Sequence, residues 1–319
     1  MAAPVTPSLT LRISRSWMAA ESVRGFELRR ADGGDLPAFE PGAHIGVRTP
    51  NGAVRKYSLC NDPAERDRYE IAVLRENAGR GGSAAMVDNA QDGADIEIAP
   101  PHNDFPLAAS PAGYTFIAGG IGITPILSMV RHLKSGPGAK FKLYYCTRSA
   151  AGTAFRDTLS APAFRGQVVF HHDGGDPSRS LDLWPVLEQP KGHVYCCGPR
   201  GLMQAVRDMT GHWSPSSVHF EAFTEPQQTR PDDRPFRVKL ARADATVEVP
   251  IGRSILEALR AGGHEAASSC ESGTCGTCRT RLLAGLPDHR DLVLADHERA
   301  DNIMICVSRA LSDELVLDR

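Results

Sequence analysis

Apolar and polar residues alternate in short runs over the first third of the chain. LTLRISRSW, VRGFELRR, HIGVRT, YEIAVLRE and ADIEIAP place apolar residues at about every second position, the period of a strand with one buried face. Gly, Pro and Asn-Asp punctuate these runs, so residues 1–108 predict an antiparallel barrel or sandwich. From Gly113 the rhythm changes. YTFIAGGIGITPILSMVRHLK reads as strand, glycine turn and helix, and KFKLYYCTRS, QVVFHHD, HVYCCGP and SVHFEAF are apolar strand runs. Helical stretches, TAFRDTLSA and GLMQAVRDMT, fall between them, and such alternation predicts a parallel, doubly wound sheet over residues 109–226.

TEPQQTRPDDRP (224–235) is polar, holds three prolines and has no period, so it reads as an interdomain linker. Beyond it, FRVKLARADATVEVP predicts two short strands turning at Ala243 and Asp244. SILEALRAGG predicts a helix with Ser254 as N-cap and Gly262 past its end. NIMICVSRA and ELVLD read as closing strands, which makes residues 235–319 a small α+β domain.

A chain of 319 residues suits two or three such domains. Its net charge of −2 gives no basis for binding nucleic acid or a membrane surface. The N-terminus lacks a basic start followed by an apolar stretch, and no run of 18 apolar residues exists, so neither a signal peptide nor a membrane span is expected.

Eight cysteines change the picture, because four of them form one pattern. Cys270, Cys275 and Cys278 lie in SSCESGTCGTCRT, and Cys306 follows after 27 intervening residues. C-x4-C-x2-C…C is the spacing that holds a plant-type 2Fe-2S cluster through four thiolates. The small residues between the cysteines allow tight turns with N–H groups aimed at sulfur. A zinc knuckle would pair its C-x2-C with a second one or with histidines, and a lone distant cysteine does not. Cys60, Cys146, Cys196 and Cys197 sit in strand-like runs as small hydrophobes, which together with the thiolate pattern suits a reducing, cytoplasmic location. His171, His172, His102, His132, His289 and His297 show no ligand spacing and read as surface or packing residues.

The remaining motifs gather at strand ends. Gly119, Gly120 and Gly122 let backbone approach a ligand at the start of a helix, a place that suits a pyrophosphate. Thr147, Arg148 and Ser149, then CGPRGLM (Cys197–Met203) and HFEAF (His219–Phe223), end later strands, where doubly wound sheets bind ligands. In the first domain RKYSLCN (Arg55, Lys56, Tyr57, Ser58) offers a cation, an aromatic and a hydroxyl. ENAGRGGSAAMVD holds a second anion-binding helix start, with Ser83 as its cap.

RKYSLCN, GRGGS, GGIGITP, CGP, HFEAF and the four-cysteine domain, in this order, resemble the phthalate dioxygenase reductase family across essentially the whole chain. The first two domains are similar to the wider ferredoxin–NADP reductase superfamily. The resemblance implies FMN on the barrel, with Arg55 and Ser58 directed at its phosphate and Tyr57 against its ring. It implies that Val73, Leu74 and Arg75 contact the isoalloxazine through backbone groups, and that Gly81, Gly82 and Ser83 bind the phosphate. GGIGITP would face the nicotinamide and pyrophosphate, with Thr124 near the flavin. Cys197, in the CGP run with Gly198 and Pro199, and Phe223 would lie around the two rings. The family mostly uses NADH, although Arg148 could serve an NADP phosphate and Asp173 stands near a later strand end.

The implied activity is that of a flavin iron–sulfur oxidoreductase, the reductase component of a multicomponent oxygenase. Electrons would pass from NADH through FMN to the 2Fe-2S cluster and on to a Rieske-type oxygenase. That acceptor would be met in a transient complex by a monomeric reductase. No general base or nucleophile is required, and no catalytic residue is nominated. Two alternatives stay open: a reductase serving another acceptor, such as a haem monooxygenase, and a redox-sensing iron–sulfur protein without turnover.

Overall fold

The computed structural model describes residues 9–77, 81–136, 138–223 and 230–319. By its internal contacts the chain divides between His219 and Phe220 into two compact units.

The first unit begins with the alternating runs. They form β1 (Leu9–Ala20), β2 (Val23–Arg29), β3 (His44–Arg48), β4 (Val54–Ser58), β5 (Tyr69–Leu74) and β6 (Asp95–Ile98), with helix α1 (Gly82–Asn89) between the last two. These strands pair antiparallel in the order β4-β3-β6-β1-β2-β5. The two edges then meet: Leu59 bridges Ile71, and the Cys60 N–H donates to the Glu70 carbonyl at 2.8 Å, curling the sheet into a barrel. Every second side chain, among them Leu11, Ile13, Phe26, Leu28, Ile45 and Val47, fills its interior.

The same unit continues through β7 (Tyr114–Gly119), α2 (Ile123–Ser135), β8 (Phe141–Thr147), α3 (Arg156–Ser160), β9 (Val168–His172), α4 (Trp184–Leu187), β10 (His193–Cys197) and α5 (Arg200–Met209), and the division falls within the last strand of its sheet, β11 (Val218–Glu221). The sheet order is β11-β10-β7-β8-β9, and β10, β7, β8 and β9 run parallel. The first strand is therefore central, and the order reverses between β7 and β10. A doubly wound sheet opens a crevice at the carboxyl ends of the two strands flanking such a reversal.

Barrel and α/β layer are not separate cores. Val23, Cys60 and Ala72 of the barrel pack in one apolar cluster with Phe116, Ile126 and Met129. From α2, the Ser128 hydroxyl donates to the Asn61 carbonyl at 2.9 Å. Arg131 donates to the Cys60 carbonyl and the Glu70 carboxylate, each at 2.9 Å.

The second unit contains β12 (Phe236–Leu240), β13 (Ala245–Val249), α6 (Ile255–Ala261), β14 (Arg279–Ala284), β15 (Pro287–Asp288), β16 (Asn302–Met304), β17 (Arg309–Ala310) and β18 (Glu314–Leu317). Its main sheet has the order β13-β12-β18-β14-β16, and β15 pairs with β17 in a separate ribbon. Asp244 turns the first hairpin at φ 46°, and Ser254 caps α6 through a reciprocal pair of bonds with Glu257.

Two stretches differ from the sequence expectation. NIMICVSRA is not one strand: β16 ends at Met304, and the Val307 and Ser308 N–H groups both turn back to the Met304 carbonyl. That turn carries Cys306 out of the sheet. Residues 230–235, read as linker, are held by the second unit, because the Asp233 carboxylate meets Arg290 and Arg309. The rest of that stretch, 224–229, lies outside the described residues, as do Ala78, Gly79 and Arg80 of the GRGGS motif. Among the described residues no helix is long and apolar enough to cross a membrane.

Candidate functional sites

On the barrel, Arg55 and Tyr57 alternate with Lys56 and Ser58 along edge strand β4. The Arg55 side chain lies against the start of α1: a Cβ on Gly82 would stand 2.9 Å from its Nε. The guanidinium donates to the Val54 carbonyl at 2.8 Å. Lys56 faces Asp104 at 3.8 Å instead. The Tyr57 and Ser58 hydroxyls are both buried and make no hydrogen bond, and burial pushes the Tyr57 phenol up to about 12. A buried, orphaned phenol near a cation, with a second orphaned hydroxyl on the next residue, is what polar ligand atoms would satisfy.

Helix α1 starts differently from expectation. Its N-cap is Gly81 at φ 79°, a left-handed position suited to glycine, and no side chain caps it. Ser83 does not cap; its hydroxyl accepts from the Glu76 N–H at 3.2 Å. The first-turn N–H groups thus have no side-chain acceptor and point with the helix dipole toward an anion position. Val73 and Leu74 end β5, and Arg75 follows with its guanidinium clasping Asp88 at 2.8–3.2 Å. The Arg75 side chain therefore ties this strand end to α1.

At the reversal between β7 and β10, glycines are required by close approach. A Cβ on Gly122 would come within 2.2 Å of the Cys197 carbonyl oxygen, and one on Gly119 within 2.5 Å of Pro199 Cδ. Gly120 takes φ 53°. Gly119, Gly120, Gly122, Cys197, Gly198 and Pro199 consequently form one surface where two strand ends meet two helix starts. Thr124 is buried beside it, its hydroxyl donating to the Ile121 carbonyl at 3.0 Å.

The hydroxyls of the Thr147–Ser149 stretch are engaged within the chain. The Thr147 hydroxyl is engaged by the Ser149 carbonyl, Thr153 and His172 at 2.7–3.1 Å, and Ser149 Oγ accepts from the Gly152 N–H at 3.1 Å. Arg148 alone of the three presents an exposed side chain with no inward hydrogen bond of this kind. Asp173 closes its own turn by accepting from the Gly175 N–H at 2.7 Å. Phe223, two residues past β11, is 43% exposed.

In the second unit the four thiols assemble as two pairs. Cys270 is hydrogen-bonded to Cys275 and Cys278 to Cys306; within each pair the bond favours ionisation of Cys270 and Cys278 and disfavours it in their partners. Backbone N–H groups already aim at sulfur, from Cys270 to Cys275 Sγ and from Ser272 to Cys270 Sγ, each at 3.4 Å. Three left-handed residues, Glu271, Gly273 and Gly276, bend the loop to allow this. Among the described residues no three His, Cys, Asp or Glu side chains are arranged to hold a single metal ion. A 2Fe-2S cluster takes two thiolates on each iron, and two pairs of thiols fit that demand.

Side chains to which the sequence assigned no role also shape the first unit. His193 and His219 share a hydrogen bond at 2.9 Å and stack with centroids 5.2 Å apart, and Tyr195 stacks on His219 at 4.3 Å. Burial, reinforced by His193, pulls the His219 imidazole down to about 4.

Residues 238–311 match the model of a 2Fe-2S iron-sulfur cluster binding domain, and residues 116–208 match that of an oxidoreductase NAD-binding domain. The chain is 53% identical to the phthalate 4,5-dioxygenase oxygenase reductase subunit of Pseudomonas putida, across 97% of this chain and 96% of that protein. It is 49% identical to phthalate dioxygenase reductase, solved as a modular structure for electron transfer from pyridine nucleotides to 2Fe-2S, at a TM-score of 0.71 over 98% of each chain. A third likeness is to an intact type IV self-sufficient cytochrome P450 monooxygenase: 35% identity, TM-score 0.71, 97% of this chain and 41% of that one.

Proposed function

The chain belongs to the phthalate dioxygenase reductase family, and from that premise we propose that it is the reductase component of a multicomponent oxygenase. It draws electrons from NADH and delivers them, through FMN and a 2Fe-2S cluster, to a Rieske-type oxygenase in a transient complex. The observation that carries the flavin assignment is the buried, unpartnered Tyr57 hydroxyl near Arg55, with a second such hydroxyl on Ser58 of the same strand. When bound there, a flavin would accept the two electrons of a hydride and release them singly to a carrier that takes one.

The roles of this chain's residues follow from their positions. Arg55 and the uncapped first turn of α1 bind the phosphate, and Gly82 leaves room for the arginine to lie flat. Ser58 and Tyr57 satisfy polar atoms of the ligand, and the backbone of Val73–Arg75 lines its ring. The glycine surface at the β7/β10 reversal seats the nicotinamide and pyrophosphate, with Thr124 and Cys197 beside it. Arg148 is the residue to test for nucleotide choice. Cys270, Cys275, Cys278 and Cys306 ligate the cluster. We assign residues 1–108, 109–226 and 235–319 to FMN, nicotinamide and cluster, in a monomeric cytoplasmic protein.

The deciding experiment mixes purified chain with purified Rieske-type oxygenase components and follows NADH-dependent product formation, alongside flavin, iron and sulfide analysis. Turnover with one FMN, two irons and two sulfides per chain is expected from the cluster and flavin sites. FAD in place of FMN, or protein without iron, overturns the cofactor assignment. A second reading, a haem monooxygenase as acceptor, is favoured by the likeness to a self-sufficient cytochrome P450 over 97% of this chain. Reduction of such a haem protein, with every Rieske partner inert, would select it.

A further inference from the structure

Behind the four thiols lies a buried ionic cluster that none of the proposed electron-carrying sites uses. The Asp233 carboxylate pairs with Arg290 and stands 3.7 Å from Arg309, and these three side chains are 4%, 5% and 6% exposed. Asp288 supplies the second carboxylate, accepting from Arg290 Nε at 2.6 Å. Two guanidinium groups thus face two carboxylates, with Asp288 at the 15% exposed edge of the cluster and Arg230 reaching it at 3.4 Å.

Each arginine belongs to a segment that shapes a different part of the thiol site. The stretch after Arg290 backs the cysteine loop: the Leu292 N–H donates to the Gly273 carbonyl at 3.0 Å, and a Cβ on Gly273 would stand 3.2 Å from Asp291 Cα. The Asp291 carboxylate pins that stretch by accepting from the Val293 and Leu294 N–H groups at 3.0 and 2.7 Å. The Arg290 N–H donates to Ser308 Oγ at 3.2 Å, next to the turn that carries Cys306. Arg309 follows in that same chain segment and donates to the carbonyls of Arg253, Arg234 and Pro250 at 2.5–3.3 Å. Asp233 therefore ties together the support of the Cys270–Cys278 loop and the segment of Cys306, which lie far apart in sequence.

We propose that Asp233 is a positioning residue for the four-thiol site, holding its two halves in register through Arg290 and Arg309. The proposal rests on reading those thiols as the cluster site. A carboxylate suits this task because a neutral group would leave a guanidinium without compensation in a dry site, and the two segments would move apart to admit water. Loss of a group bonded directly to a metal ligand typically lowers metal affinity about ten- to a hundredfold, which sets the upper bound for Asp233, one layer further out.

The test uses full-length, cofactor-loaded Asp233→Asn. Readouts are the EPR spectrum and midpoint potential of the reduced cluster, its visible circular dichroism, and the rate of cluster loss to a chelator. Expected are an altered EPR line shape, a shifted potential and faster loss, by up to about ten- to hundredfold, with flavin content and flavin bleaching by NADH unchanged. Wild-type spectra, potential and loss rate, even with a lower melting temperature, overturn the proposal and leave Asp233 a stabilising residue only. If Asp233→Asn yields no loaded protein, Asp233→Glu decides, since it keeps the charge on a longer arm: a loaded cluster with a shifted spectrum supports the proposal, and a wild-type spectrum or no loaded cluster overturns it. Wild-type protein lacking iron would sink the cluster reading instead, so the two failures are distinguishable.

Discussion

Arg55→Ala tests the flavin phosphate site most directly. The side chain lies along the start of α1, with Gly82 leaving the space it occupies, so truncation removes a cation from beside an uncapped helix start. Neighbouring donors, the first-turn N–H groups and Ser58, remain in place. A charge-assisted hydrogen bond to a phosphate contributes about 1.5–3 kcal/mol, which corresponds to roughly a ten- to hundredfold loss of FMN affinity. The variant should purify flavin-poor while keeping its iron–sulfur absorbance, and added FMN should restore NADH oxidation. Fluorescence titration of the flavin-free protein supplies the magnitude. Riboflavin, which lacks the phosphate, should bind variant and wild type about equally. An Arg55→Ala protein that keeps its FMN through dialysis and titrates with wild-type affinity would refute the assignment, and would move the phosphate onto Ser58 and the Gly81–Ser83 turn.

Three further outcomes follow from the geometry. Cys275→Ser should lose the cluster, since a hydroxyl is a poor ligand for this iron site, while NADH still bleaches the flavin; equal loss of both functions would contradict separate sites. Gly122→Ala drives a methyl to within 2.2 Å of the Cys197 carbonyl oxygen, so the β7 and β10 ends must separate. A melting temperature lowered by ~1–3 kcal/mol of strain and slower flavin reduction by NADH are expected, and wild-type values for both would refute the close approach. His219 has a lowered pKa, so the unfolded chain takes up a proton below pH 6.5 that the folded chain refuses until about pH 4. Wild-type stability should therefore fall relative to His219→Phe as pH drops through that window. The full shift would correspond to about 3 kcal/mol, and partial solvation of the ring reduces the expected difference to ~1–2 kcal/mol. Parallel stability curves for the two proteins across that range would refute it.

The parts legible in the sequence are those whose signal is local. Alternation gave the barrel strands, the strand–helix rhythm gave the parallel sheet, and the cysteine loop wrote its own spacing because loop geometry dictates where thiols can stand. Which partner a hydroxyl or carboxylate takes, near or far along the chain, left no such trace. Thr147 and Ser149 looked like ligand hydroxyls, yet Thr153 and His172 engage the first and the turn at Gly152 engages the second. Ser83 looked like a cap, but a left-handed Gly81 takes that position and Ser83 serves the Glu76 N–H. Asp233 looked like part of a solvated linker, because its arginines lie 57 and 76 residues further on. NIMICVSRA had a strand's composition and is broken by the turn that delivers Cys306.

The apolar cluster shared by barrel and α/β layer has a consequence for exchanging parts between relatives. With Arg131 and Ser128 of α2 bonded to the barrel's Cys60, Asn61 and Glu70, neither layer keeps its inner surface covered when the other opens. Such elements unfold as one cooperative unit, so heat should release flavin and abolish nucleotide binding in a single transition. A chimaera cut between residues 108 and 109 would pair two surfaces that never adapted to each other, exposing apolar area and the half-buried Arg131 at the seam. A cut placed after β11 leaves that shared core whole. Recombining family members to change the nucleotide would therefore have to carry the barrel along.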